Sequence, residues 1–383
     1  MKGLFVLVLT FLFWSCKNDL DLNAPYKEIP VVYAVLSPQE TRHMIRINKS
    51  FLTEQDAYQV AQITDSVCYN EGELEVKLDR FVNSKQVNVV PTRNVKTLYF
   101  KDTLVTTVSG SFANQQRVYV AYGDFHNELP RLDAYGVNIN PNWKVEGNYM
   151  LTITNKKTGA VFTATSNIID SIRPSGFPPF VNFYYPVPPG AAVNENNYID
   201  YSEPLKTYKI YYNTNESEIY QTSIRFHCYE DIGIQKGYFF LEYNFYNQYL
   251  KEKKTDGIFR DKLELSFTGN ELFEAIGNQL AKTNLNSNAL GRKFYMIQYL
   301  VYSSTQDYAD FLLFTKPSNS FAPNKPLYSN FNAKSAMGIF TFRSRCMIQK
   351  APSTAFISEF QRNSNTCNYL FYNADNSRKG CSQ

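Results

Sequence analysis

The chain has 383 residues, 44% of them hydrophobic and 19% charged, with a formal net charge of +4. That length suffices for two domains or one large one with a sizeable core, and so small a charge, without Lys/Arg clusters, argues against a nucleic-acid partner. Aromatic residues make up 16%, as 29 Tyr and 29 Phe against 2 Trp, and with Val, Ile and Thr they suit a pleated, half-buried surface, so a mainly β protein is expected.

The chain opens with Lys2, a twelve-residue apolar run from Gly3 to Trp14, then Ser15 and Cys16. A helix of that length rises about 18 Å against a hydrocarbon core of roughly 30 Å, so the run suits a cleaved leader rather than a membrane span. Leu12-Phe13-Trp14-Ser15-Cys16 resembles the bacterial lipobox, in which a small residue precedes the cysteine that becomes acylated. Phe13 and Trp14 stand where the lipobox usually has Leu and a small residue. On this reading residues 1–15 are a signal peptide, Cys16 is the lipidation site, and residues 16–28 are a lipidated tether. Lys17, Asp19 and Asp21 resemble the charged stretch that sends Bacteroidota lipoproteins across the outer membrane. The resemblance implies an N-terminal lipid anchor in the outer membrane and exposure at the cell surface. The competing reading is an ordinary secretory signal cut nearby, with Cys16 lost in the discarded peptide.

Beyond the tether, the alternation of Ile29 to Leu36, the turn residues Ser37-Pro38-Gln39-Glu40-Thr41 and the return from His43 to Phe51 predict a β-hairpin. Short strands follow at Glu73 to Leu78, Thr97 to Phe100, Thr103 to Val108 and Arg117 to Tyr122. A second hairpin spans Tyr149 to Thr165, with its turn at Asn155 to Gly159. Short strands with polar turns are the pattern of a sandwich, so residues 29–170 are expected to form an Ig-like β-sandwich domain.

Residues 171–190 hold Pro174, Pro178, Pro179, Pro186, Pro188 and Pro189 among five aromatics, and proline removes ladder donors, so this stretch is read as a rigid connector. Residues 191–350 are expected to form a β-rich α+β domain, with strands at Leu205 to Tyr212, Ile219 to Glu230, Gly237 to Tyr249 and Lys293 to Tyr302. About two helices join them. One runs from Glu271 to Lys282, with Leu272, Phe273, Ile276 and Leu280 at helical spacing and Thr268 or Asn270 as cap. The other begins at Ser304, whose Ser-x-x-Asp pattern with Asp307 suggests an N-cap, and ends before Pro317. Residues 351–383 are a C-terminal extension.

With Cys16 acylated, Cys68, Cys228, Cys346, Cys367 and Cys381 remain, without a C-x-x-C pair, so no metal site is spelled. Cys367 with Cys381 could close a C-terminal loop in an oxidising compartment, or the thiols could stay free as small apolar groups. His43, His126 and His227 lie far apart. There is no HExxH, no G-x-S-x-G elbow, no P-loop and no dinucleotide turn, so neither an enzyme nor a cofactor is expected. A carboxylate pair for glycoside chemistry needs only spatial closeness; Glu230 with Asp231 is the candidate, against the plainer reading of acids where a strand meets water. On a strand from Tyr238 to Tyr249, Tyr238, Phe240, Glu242, Asn244 and Tyr246 share one face, and Phe239, Leu241, Tyr243 and Phe245 the other. The first set, with Tyr238, Glu242, Asn244 and Tyr246 as contacts, is the candidate binding surface for a partner protein or a glycan. Asp65-Ser66-Val67, Asp102-Thr103-Leu104 and Asp170-Ser171-Ile172 resemble an O-glycosylation acceptor of Bacteroidota envelope proteins.

Ala24 to Tyr33 and Ile45 to Phe51 resemble the N-terminal signature of an uncharacterised family of Bacteroidota outer-membrane lipoproteins, a domain of unknown function. Ile224 to Glu230, Asp307 to Phe311, Tyr328 to Phe331 and Met337 to Phe340 are similar to later segments of that family, in the same order, with Ser335-Ala336-Met337 where it usually has a second glycine. The resemblance implies an envelope location and transfers no catalytic residues. The expected role is a non-enzymatic accessory of an envelope complex such as a TonB-dependent uptake system. The alternatives are a glycan-binding or polysaccharide-active protein, and a structural part of a secretion or gliding apparatus.

Overall fold

The computed structural model describes residues 28–51, 56–106, 115–129, 131, 140, 142–169, 198–214, 217–246, 248–249, 262–315, 328–332, 336–372, 377 and 381. The leader, Cys16, most of the tether, the Pro-rich connector and Asp170-Ser171-Ile172 lie outside the described residues.

The chain is mainly β. Strands β1 (Pro30–Leu36) and β2 (Arg42–Lys49) form the first hairpin, in register Pro30 to Lys49 and Tyr33 to Arg46. Pro38 sits where its fixed φ favours a turn, closed by Glu40 N–H donating to Ser37 C=O at 3.2 Å. Period-two alternation buries Val32, Ala34 and Leu36 of β1 and His43, Ile45 and Ile47 of β2, leaving Val31, Tyr33 and Met44 exposed. The short helices α1 (Ala57–Ala61) and α2 (Thr64–Val67) follow, then β3 (Leu74–Val82), β4 (Lys85–Val87), β5 (Thr97–Thr106), β6 (Gln115–Tyr122), β7 (Asn148–Asn155) and β8 (Val161–Asn167). The second half adds β9 (Tyr198–Ile199), β10 (Thr207–Asn213), β11 (Ile219–Ile232), β12 (Gln235–Asn244), β13 (Gln248–Tyr249), β14 (Lys262–Thr268), α3 (Gly269–Leu280), β15 (Gly291–Ser304), α4 (Gln306–Thr315), β16 (Met337–Pro352) and α5 (Thr354–Arg362).

Among the described residues one ladder runs β12-β11-β15-β16-β1-β2-β6-β5-β3-β7-β8, while β10 and β14 form a separate ribbon. Two strands organise it. The segments Thr97 to Phe100 and Thr103 to Val108, expected as separate strands, are joined in β5: its first half pairs β3 and its second half pairs β6. Lys101-Asp102 has the polarity of a turn yet lies on the strand, where Asp102 holds Arg117 of β6 at 3.0 Å. β5 thus turns the ladder through a corner, and a bridge from Ala164 of β8 to Phe331 brings the far end back toward β16. Leu78, Tyr119, Phe125, Tyr149, Leu151, Phe340 and Phe342 fill the space enclosed.

β16 is the second organiser. Met337 to Phe342 pairs β1 in parallel, and Arg343 to Lys350 pairs β15 antiparallel. One face of the β12-β11-β15-β16 half packs on the β10–β14 ribbon, α3 and α5 around Phe226, Phe273, Phe294, Phe356 and Phe360. Thr268, rather than Asn270, caps α3 in a full capping box with Glu271. The other helix begins at Gln306, not at Ser304, whose hydroxyl donates to Phe342 C=O at 2.5 Å from the end of β15. Residues read as an extension supply α5 and Phe371, all packed in this core, and Cys367 is joined to Cys381 by a disulfide.

Candidate functional site

The outward face of β11, β12 and β15 carries the exposed aromatic cluster. The hairpin between β11 and β12 turns on Gly233-Ile234, with Ile232 opposite Gln235; Gly233 has φ +80°, which a two-residue turn of this kind requires at its first central position. The tight turn fixes the register that places Tyr229 opposite Tyr238, His227 opposite Phe240 and Arg225 opposite Glu242. Alternation then sends Leu241 into the core, with Phe239, Tyr243 and Phe245 packed against it, and leaves Tyr238 68% and Phe240 52% exposed.

Tyr295 joins this face through a bulge. The β11–β15 register shifts so that His227 faces Met296 while Cys228 faces Phe294, and Tyr295 is the extra residue. Its ring centroid lies 5.8 Å from His227, 6.2 Å from Tyr229 and 6.0 Å, edge-on, from Tyr238. Cations sit over the rings: the Arg225 guanidinium is 4.3 Å from the Phe240 centroid and Lys236 Nζ 4.5 Å from that of Tyr229. Arg225 also donates through Nε and Nη2 to Glu242 Oε2, at 3.2 and 3.0 Å. His227 Nε2 donates to Gln298 Oε1 at 3.3 Å. Burial lowers its pKa below the ordinary imidazole value, the Gln298 bond opposing and Arg225 assisting, so the ring is neutral at neutral pH.

The structure sorts the expected contacts. Tyr238 lies inside the cluster. Glu242 is on the same face, held by Arg225, and Asn244 is exposed at the end of β12. Tyr246 is 94% exposed but lies in the break between β12 and β13, so the long strand expected from Gly237 to Tyr249 is interrupted and the ring stands off the ladder. Tyr229 and Tyr295 were not in the expected set. The sequence signal for Tyr295 is the three-residue step between the core positions Phe294 and Ile297, one more than a regular strand allows.

The candidate carboxylate pair does not form an acid–base site. Glu230 is buried against Arg292, which donates through Nε at 2.9 Å and lies 2.8 Å away through Nη2, and Asn286 N–H donates to the same carboxylate at 2.9 Å. Asp231 Oδ1 instead accepts from Gly233 N–H in the turn. Among the described residues no group of three metal-ligating side chains converges, and no helix is long and apolar enough to cross a membrane.

His43 Nε2 donates to Gly123 C=O at 2.8 Å, and its ring stacks on Phe125. Burial depresses its pKa from 6.5 to about 4. The unfolded chain therefore takes up a proton first on acidification, so stability present at neutral pH is lost between about pH 6.5 and 4. The expected loss is about 3 kcal/mol, read as a falling urea midpoint that His43→Gln flattens; equal slopes in both proteins contradict it.

No family model matches this chain, and no curated protein matches it.

Proposed function

We propose that this chain is a lipid-anchored, surface-exposed outer-membrane protein without chemistry of its own, serving as a binding or accessory component of an envelope complex such as a TonB-dependent uptake system. The observation that carries the reading is the cluster of Tyr229, Tyr238, Phe240 and Tyr295, large rings left in water beside Arg225 and Lys236. Exposed apolar surface rimmed by polar groups marks interaction sites, and Tyr and Arg dominate the energetic centres of protein interfaces. The Cys367–Cys381 disulfide supports passage through an oxidising compartment. The N-terminal resemblance to Bacteroidota lipoproteins supports anchoring through Cys16. The corner in β5 supports reading residues 29–170 as an Ig-like sandwich joined to a second, α+β unit.

The test has two readouts in one strain set. Palmitate is expected to label the wild type and not Cys16→Ala. Tyr238→Ala/Tyr295→Ala, with unchanged thermal unfolding, is expected to lose about 2 kcal/mol or more of affinity for the companion that wild type retains from detergent-solubilised envelopes. Equal retention by the double variant removes the face from the reading. A glycan reading uses the same rings and is favoured by the Arg225–Glu242 pair at their rim; sugar binding on an array, abolished by Tyr238→Ala, decides for it.

A further inference from the structure

The backbone edge of β12 offers a second kind of recognition beside its aromatic face. In an antiparallel ladder, successive residues point their N–H and C=O groups alternately toward the neighbouring strand and away from it. The Gln279 side chain of α3 reveals which residues point away: its Oε1 accepts from Glu242 N–H at 2.8 Å, and its Nε2 donates to Glu242 C=O. Glu242 thus faces away from β11. The β11–β12 register is unbroken from Asn244 to Gln235, so Phe240, Tyr238 and Lys236 face away as well. Among the described residues no strand pairs this edge, and no hydrogen bond occupies the outward N–H and C=O groups of those three.

The fold closes a comparable edge elsewhere. Asn330 Nδ2 donates to Phe340 C=O at 2.7 Å, and its Oδ1 accepts from Phe340 N–H at 3.0 Å, so a side-chain amide stands in for a strand on β16. Gln279 does the same at Glu242 alone, leaving the stretch between that clamp and the Gly233-Ile234 turn open. An unpaired edge of this kind is a template for another chain unless it is covered.

The geometry points to a strand-addition site: an extended segment of a partner polypeptide pairs with Gln235 to Leu241 of β12, its alternate side chains lying against Tyr238 and Phe240. This rests on the reading of the aromatic face as a docking surface and names the form of the partner. The outward groups repeat every second residue, about 6.8 Å apart, each residue offering a donor and an acceptor, which is the pattern of a peptide backbone and not of a sugar or a lipid headgroup. Aromatic or β-branched residues opposite Tyr238 and Phe240 form favourable cross-strand pairs, and an acidic residue suits the end beside the exposed Lys236. Gln279 sets the register, because an incoming strand must stop before Glu242.

The experiment is a selection of displayed random ten-residue linear peptides on the full chain. Proline at position 238 deletes an N–H that faces solvent while sparing the ladder to β11, a position where edge strands tolerate it. The expected peptides alternate apolar and polar residues. They lose about tenfold more affinity on Tyr238→Pro than on Tyr238→Ala, and lose binding when their alternate amides are N-methylated. On binding, amide exchange slows at Lys236, Tyr238 and Phe240. The methylated peptides keep the test valid if the proline variant fails to fold. No enriched peptide, or peptides indifferent to N-methylation, overturns the proposal. So does a dimer of the chain, dissociated by Tyr238→Pro, in place of peptide binding. Equal losses on alanine and proline leave the aromatic face as a docking surface and remove strand addition, which separates the two readings.

Discussion

Glu230→Ala is expected to destabilise the protein by about 3–5 kcal/mol, because it strands a buried guanidinium rather than removing a surface charge. Glu230 and Arg292 are 7% and 6% exposed, and their network is fully used. Besides binding Glu230, Arg292 donates through Nη1 to Tyr369 C=O at 2.9 Å and through Nη2 to Asn286 C=O at 3.0 Å. The pair therefore ties the ends of β11 and β15 to the loop after α3 and to the C-terminal segment. With the carboxylate gone, Arg292 keeps its carbonyl contacts but loses its counter-charge, and Asn286 N–H loses its acceptor. Glu230→Leu/Arg292→Met is expected to cost less than either single change, since it removes both charges and leaves apolar volume. Urea denaturation followed by circular dichroism measures all three. A single-variant loss under about 1 kcal/mol contradicts the assignment of the pair as a buried clamp.

Gly338→Ala is expected to be the most damaging single methyl group that can be added to the molecule. Gly338 lies opposite Val32 in the parallel β1–β16 pair, with φ +109°, and a Cβ there collides with the Val32 carbonyl oxygen. Its own N–H donates to Tyr328 C=O at 3.1 Å and its C=O accepts from Asn330 N–H at 3.3 Å, so the strand cannot slide aside without losing these bonds. The conformational penalty alone is about 1–2 kcal/mol. The collision brings the expected total to about 4 kcal/mol or more, the range reserved for backbone disruption. Gly72→Ala is the control: its φ is +67° and nothing lies within 4 Å, so it reports the conformational part alone, about 1 kcal/mol. Because β16 serves both cores, amide exchange in Gly338→Ala is expected to accelerate in β15 as well as β1. Protection lost from β1 alone contradicts that coupling.

Local patterns made much of this architecture legible. The alternation of β1 and β2, the Thr268 cap and the two faces of β12 follow from side-chain period and capping chemistry, and all three stand in the structure. Three features escaped for physical reasons. The parallel pairing of β1 with β16 joins residues some three hundred positions apart, and no local pattern encodes a partner. Lys101-Asp102 has turn polarity because one side of β5 meets water there, so one strand read as two. Tyr295 reaches the aromatic face through a bulge, visible in sequence only as a three-residue step that Met296 obscures with its own apolar side chain. The candidate face was therefore half legible: Tyr238 came from alternation within one strand, whereas Tyr229 and Tyr295 depend on which strands stand beside it.

Cys68, Cys228 and Cys346 are buried free thiols, and burial raises Cys346 to about 12 and Cys228 well above its ordinary value. Their sulfurs are thus withheld from alkylating reagents as long as the strands around them stay closed. Cys68 sits beside the first core, Cys228 and Cys346 within the second, so iodoacetamide uptake at each position is a separate gauge of when that region of the molecule comes apart.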